Sequence, residues 1–69
     1  MNERILSLLS LCMQAIDLGF NVKQETFKCV SGKKAINLWH YGHDNGKLFL
    51  IKYTGDIDEA EAYLKGLIA

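Results

Sequence analysis

The chain contains no proline, only two cysteines and one tryptophan, and it carries no net charge. Each shortage excludes something. Without proline, and with no glycine- or serine-rich stretch, nothing reads as a linker between domains. Two cysteines, Cys12 and Cys29, are too few for a disulfide framework, and they share neither a CxxC spacing nor a His/Cys spacing suited to zinc. They are expected as free, buried thiols in a reducing cytosol. Eight Lys plus Arg balance eight Asp plus Glu, so no global field draws in nucleic acid or anionic lipid. No run approaches the ~18 apolar residues of a membrane span. The N-terminal stretch does not read as a signal peptide, because Glu3 spoils the basic start and Ser7, Ser10, Gln14 and Asp17 recur through it. Leu11 is also too large to precede a lipidated Cys12. A cytoplasmic protein with no membrane association is expected.

What is present suffices for one domain spanning residues 1–69. A chain this short buries only about 60% of its unfolded surface, so its stability margin is thin. Small domains often gain the missing stability from a disulfide, a metal or a second subunit. The apolar content of 49% is that of a globular chain and excludes general disorder.

The expected order is helix, three strands, helix, an α+β fold with a three-stranded antiparallel sheet and both helices on one face. Residues Glu3 to Leu18 form the first helix, with Ile5, Leu9, Cys12 and Ile16 at the centre of its apolar stripe. Gly19 stops it. Leu11 and Leu18 fall outside the stripe, beside Arg4, and the surplus of apolar positions marks them as candidates for self-association. A first strand runs from Phe20 to Val30, with a bulge expected near Gln24-Glu25 because Phe20 and Val22 differ in parity from Phe27 and Cys29. Ser31-Gly32-Lys33-Lys34 is a turn and Ala35 to Tyr41 a second strand. Gly42 to Gly46 form a loop in which Asn45-Gly46 is the hairpin signal, and Leu48 to Thr54 are the third strand. Asp56, followed by Glu59, opens the last helix as an N-cap.

Pairing the last two strands around Asn45-Gly46 sorts their side chains. One face receives Ile36, Leu38, His40, Phe49, Ile51 and Tyr53, and the other Asn37, Trp39, Tyr41, Leu48, Leu50 and Lys52. The first is the expected core face. Trp39, Tyr41, Leu48 and Leu50 then form an apolar patch rich in the residues of interface hot spots, either open to a partner or covered by a helix.

Little points to catalysis. His40 is expected as a satisfied core histidine, His43 and Asp44 as loop residues, and Asp56, Asp58, Glu59 and Glu61 as helix start and solvated face. No catalytic group, cofactor or metal site is expected. The reading is a homodimeric, non-catalytic binding protein that meets a protein partner through Trp39, Tyr41, Leu48 and Leu50. One alternative is a nucleic-acid-binding module using Lys23, Lys28, Lys33 and Lys34. Another is a small-molecule sponge with a ligand held between subunits on Trp39 or Tyr41.

Three resemblances bear on this. The element order is similar to that of the double-stranded RNA-binding domain, whose second helix opens on lysines; here it opens Asp56-Ile57-Asp58-Glu59, which repels a phosphate backbone. The order is also similar to that of small ribonuclease toxins of the HicA type, which depend on a Gly-Ser-His motif entering the second strand, where this chain has Ser31-Gly32-Lys33. The opening Ile5-Leu6-Ser7-Leu8-Leu9-Ser10-Leu11 and the closing Asp58-Glu59-Ala60-Glu61-Ala62-Tyr63-Leu64 resemble the short, uncharacterised proteins of phages and prophages of Gram-positive bacteria. That resemblance implies a tiny protein that binds and blocks a host or competitor protein in the host cytoplasm, or sequesters a signal molecule.

Overall fold

The structure, a computed structural model, describes residues 3–28 and 34–69. The elements run α1 (Glu3–Asp17), β1 (Asn21–Lys28), β2 (Lys34–Asp44), β3 (Lys47–Thr54) and α2 (Ile57–Ile68). The three strands form one antiparallel sheet in the order β1-β2-β3, so the fold is α+β as expected. Cys29 and the turn Ser31-Gly32-Lys33 lie outside the described residues.

The stripe that α1 buries is Ile5, Leu8, Cys12 and Ala15, rotated from the expected one. Ile16 is instead exposed, and Leu9 is only half-buried. Ala15, and Ala60 of α2, are both fully buried in one cluster. After Asp17 the helix closes in a Schellman motif. The Gly19 amide donates to the Ile16 carbonyl at 2.9 Å and the Phe20 amide to the Ala15 carbonyl at 3.0 Å. Gly19 has φ 101°, which is why glycine stands there.

β1 pairs with β2 in unbroken register from Asn21↔Tyr41 to Lys28↔Lys34. The bulge expected near Gln24-Glu25 is therefore absent. Phe20 precedes the strand, so its parity places no constraint on it. The irregularity lies elsewhere: β2 and β3 pair as His40↔Lys52 and then as Tyr41↔Leu50, leaving Ile51 as an extra residue in β3. One inserted residue reverses parity along the strand. Lys52 therefore shares a face with His40, and Tyr53 shares one with Trp39, the reverse of the expected sorting for both. The connection is the two-residue turn Asn45-Gly46, with φ 51° and 79°, the pair of positive values a type I′ turn requires.

Both helices lie on one face of the sheet. Leu8 of α1, Leu38 of β2 and Leu64 of α2 are the largest fully buried side chains, and each joins a different element to one cluster with Val22 and Ile36. Replacing any of them with Ala costs about 2–5 kcal/mol, a large share of the stability of so small a domain. Cys12 sits in the same cluster as a free thiol, and burial raises its pKa.

α2 is capped by Asp56, whose carboxylate accepts from the Glu59 amide at 3.0 Å. The reciprocal half of a capping box is not made by Glu59, whose carboxylate meets Lys52 Nζ at 2.6 Å. Thr54 takes that part instead, its Oγ1 accepting from the Asp56 amide at 3.1 Å. Across the helices, the Arg4 guanidinium pairs with Asp58 and, at 3.3 Å, with Glu61. Lys65 and Arg4 together lower the pKa of Glu61.

Two outcomes follow for stability. Asp56→Ala should lower the unfolding free energy in urea by about 1 kcal/mol, and Asp56→Asn should leave it nearly unchanged. A carboxylate held below its ordinary pKa stabilises the fold above the unfolded-state value and loses that contribution as pH falls through the folded value. Glu61→Gln should accordingly flatten the acid limb of a stability-against-pH curve and leave its alkaline limb in place.

Candidate functional site

The helix-side face ends in a small polar cluster. His40 is buried, and its Nδ1 shares a 2.6 Å hydrogen bond with the Tyr63 hydroxyl. Its ring and that of Phe20 meet in a T-shaped arrangement at a centroid distance of 5.7 Å. Lys52, brought to this face by the bulge, lies 6.0 Å from the Tyr63 ring centroid and pairs with Glu59. His40 is thus held by its neighbours in the core position expected of it. His43 and Asp44 are exposed near the hairpin tip, in strand rather than loop. Among the described residues no group of three His, Cys, Asp or Glu side chains could hold a metal ion, and their surface contains no pocket.

The opposite face is uncovered by either helix. Its centre is Trp39, half-buried between neighbouring strands. Lys23 Nζ lies 5.5 Å from the Trp39 ring centroid on one side, and the Tyr53 ring is 5.8 Å away on the other. The Tyr53 hydroxyl donates to Asn37 Oδ1 at 2.6 Å, which fixes the ring beside the indole. Beyond Trp39 the register continues this face through Tyr41↔Leu50 and His43↔Leu48. Trp39, Tyr41, Leu48 and Leu50 therefore do share one face. Leu48 and Leu50 are 58% and 52% exposed.

The sheet also projects past the helices. β2 has 11 residues and α2 has 12; at about 3.3 Å per strand residue and 1.5 Å per helical residue, the strand is about twice as long. β1 ends its pairing at Tyr41, so the hairpin from Gly42 to Phe49 is a two-stranded arm, and the molecule is 42 Å in its longest dimension. Phe49 on this arm and Ile51 at its base, both expected in the core, are 48% and 51% exposed. Gly42 makes room for them: a Cβ there would stand 2.5 Å from Phe49 Cζ and 3.0 Å from Ile51 Cδ1. An aromatic ring laid over a cross-strand glycine is a recognised way of pinning register. The arm was legible in one signal, the distance from Ala35 to the Asn45-Gly46 turn, which exceeds what a 12-residue helix covers.

The remaining candidates are dispersed. Leu11 is half-buried and packs against the core, which commits much of its apolar surface inside the subunit. Leu18, 61% exposed, follows the end of α1. Lys23 lies over Trp39, Lys28 and Lys34 are paired in register at the far end of β1 and β2, and Lys33 lies outside the described residues. No described helix is long and apolar enough to cross a membrane. Comparison with family models, with curated proteins and with solved structures finds no match.

The His40 cluster generates a test. Tyr63→Phe leaves the buried imidazole nitrogen without its partner and should cost about 1–3 kcal/mol in urea unfolding. An unchanged midpoint would mean that water replaces the hydroxyl.

Proposed function

We propose that the protein is a non-catalytic binding protein, acting as a homodimer that meets a protein partner through the uncovered face of its sheet. The observation that supports this is the continuous row of Trp39, Tyr41, Leu50 and Leu48 on a face that no helix covers. Trp and Tyr are the residues most often found at hot spots, and depletion of charge at the centre of a patch is the compositional mark of an interface core. The four residues of the row are uncharged, with Lys23 laid against the Trp39 ring and His43 beyond Tyr41. Trp39 is also held in place before any partner arrives, by Lys23 and Tyr53, so little side-chain entropy is lost on binding.

The resemblance to phage and prophage proteins supplies the setting: occlusion of a host or defence protein in the host cytoplasm. A nucleic-acid partner is less well supported. The start of α2 presents Asp56 and Asp58, and the cationic Arg4 beside it is already paired with Asp58 and Glu61.

The test is in-cell cross-linking with mass spectrometry on the wild type, Trp39→Ala and Leu50→Asp. Both positions lie on the uncovered face, so circular dichroism should show folded variants. Each should lose at least about tenfold of the captured partner, as expected where truncation of a hot spot costs more than about 1.4 kcal/mol. Equal capture by all three would overturn the reading. Capture that disappears with nuclease or falls steeply with salt would assign the face to nucleic acid.

A further inference from the structure

α1 carries a second apolar stripe that its own subunit does not bury. Leu6, Leu9, Met13 and Ile16 recur at the 3-4-3 spacing of a helix-packing seam. Leu6, Met13 and Ile16 are 48%, 67% and 52% exposed. At ~100° per residue the stripe is rotated ~100° from the buried one. It lies on the flank away from Arg4, and Arg4 is the side chain that reaches α2. α1 packs on β1, whereas α2 packs on β2 and β3. The stripe therefore overhangs the outer edge of β1, which has no neighbouring strand among the described residues.

That edge is complementary to itself. Lys23 and Glu25 are exposed and lie on the same face of β1, opposite Trp39 and Asn37 of β2. Among the described residues neither makes an ion pair. If a second copy adds its β1 antiparallel with Gln24 opposite Gln24, Lys23 of each copy faces Glu25 of the other. Sliding by two residues either way sets Lys23 against Lys23 or Glu25 against Glu25, which is unfavourable. Sliding by one would put the two helix layers on opposite faces. Charges on an edge commonly block pairing; here one register turns them into attraction, as an isologous interface requires.

We propose that two copies of this chain associate through the β1 edge in the register centred on Gln24. This forms a six-stranded sheet with the Leu6, Leu9, Met13 and Ile16 stripes packed across the two-fold axis. Paired strands lie about 4.8 Å apart and packed helices about 8–10 Å apart, so the two α1 helices fit across the axis when each is set back about 2 Å from its own β1 toward its own α2. The inference rests on the homodimer in the proposed function and replaces Leu11 and Leu18 as its surface. It adjoins the Trp39 face through Lys23 and leaves Tyr41, Leu48 and Leu50 open on both subunits.

The experiment is light scattering over a concentration series on wild type, Lys23→Glu, Glu25→Lys, an equimolar mixture of the two, Met13→Lys and Leu50→Asp, each checked by circular dichroism. Wild type is expected as a dimer. Each single reversal creates two like-charge pairs and should raise the dissociation constant on the order of tenfold. The mixture should recover a dimer close to wild type in affinity, since the carboxylate introduced at position 23 of one chain then faces the ammonium introduced at position 25 of the other. Mixing does not restore the Lys23 contact with Trp39 within the charge-reversed chain, so recovery reports the edge alone. Met13→Lys should dissociate the dimer, and Leu50→Asp should leave it intact. A monomeric wild type, single reversals as tight as wild type, or a mixture no tighter than its components would each overturn the proposal. Partner capture lost in Leu50→Asp while the dimer persists would show that the proposed function stands apart from this outcome.

Discussion

A sheet has two faces, and this chain has helix enough to bury one. Leu8, Leu38 and Leu64 meet between the layers, and that contact determines where everything else lies. Because it draws both helices to the side of Val22, Ile36 and Leu38, the side of Trp39 and Tyr41 faces outward. Because α2 spans only part of the length of β2, the end of the hairpin lies beyond α2. The exposed residues are thus not scattered excess. They are what remains when a core of fixed size is matched to a sheet longer and wider than its cover.

Much of the polar chemistry among the described residues lies at the seams of this arrangement. His40 is buried because it occupies a core-facing position, and it is tolerated because Tyr63 supplies a hydrogen-bond partner from α2. Lys52 reaches α2 only because the extra residue in β3 turns it inward, where Glu59 meets it. Arg4 closes the seam between the helices. These contacts tie elements together, and each uses its charged or titratable group within the subunit. That is why the open sheet face and the outer flank of α1, rather than the polar seams, carry the functional argument.

Much of the fold was legible. The 3.6-residue period of α1, the glycine that ends it, the Asn45-Gly46 turn and the Asp56 cap are local signals, and local signals survive folding. The grouping of Trp39, Tyr41, Leu48 and Leu50 was legible too, since all four lie on the hairpin side of the bulge or on the unbulged strand. What could not be read was set by tertiary fit. Parity gives no warning that Ile51 is an extra residue, so it sorts Lys52 and Tyr53 to the wrong faces. Burial of Ala15 in place of Ile16 depends on how the rest of the core meets α1, which α1's own periodicity does not contain. Phe49 and Ile51 look like core residues until the lengths of strand and helix are compared.

The arm beyond Tyr41 has a further consequence. Its pairing involves only β2 and β3 and contributes little to the core, so related chains could lengthen or shorten it without rebuilding the domain. The change must come in matched pairs, one residue on each strand. Two such pairs keep every downstream side chain on its present face, whereas a lone residue inserted into either strand would invert the surface beyond it. Ile51 is an insertion of that kind already in place. The reach of the hairpin is therefore a dimension along which variation is cheap, and its facing is one along which variation is abrupt.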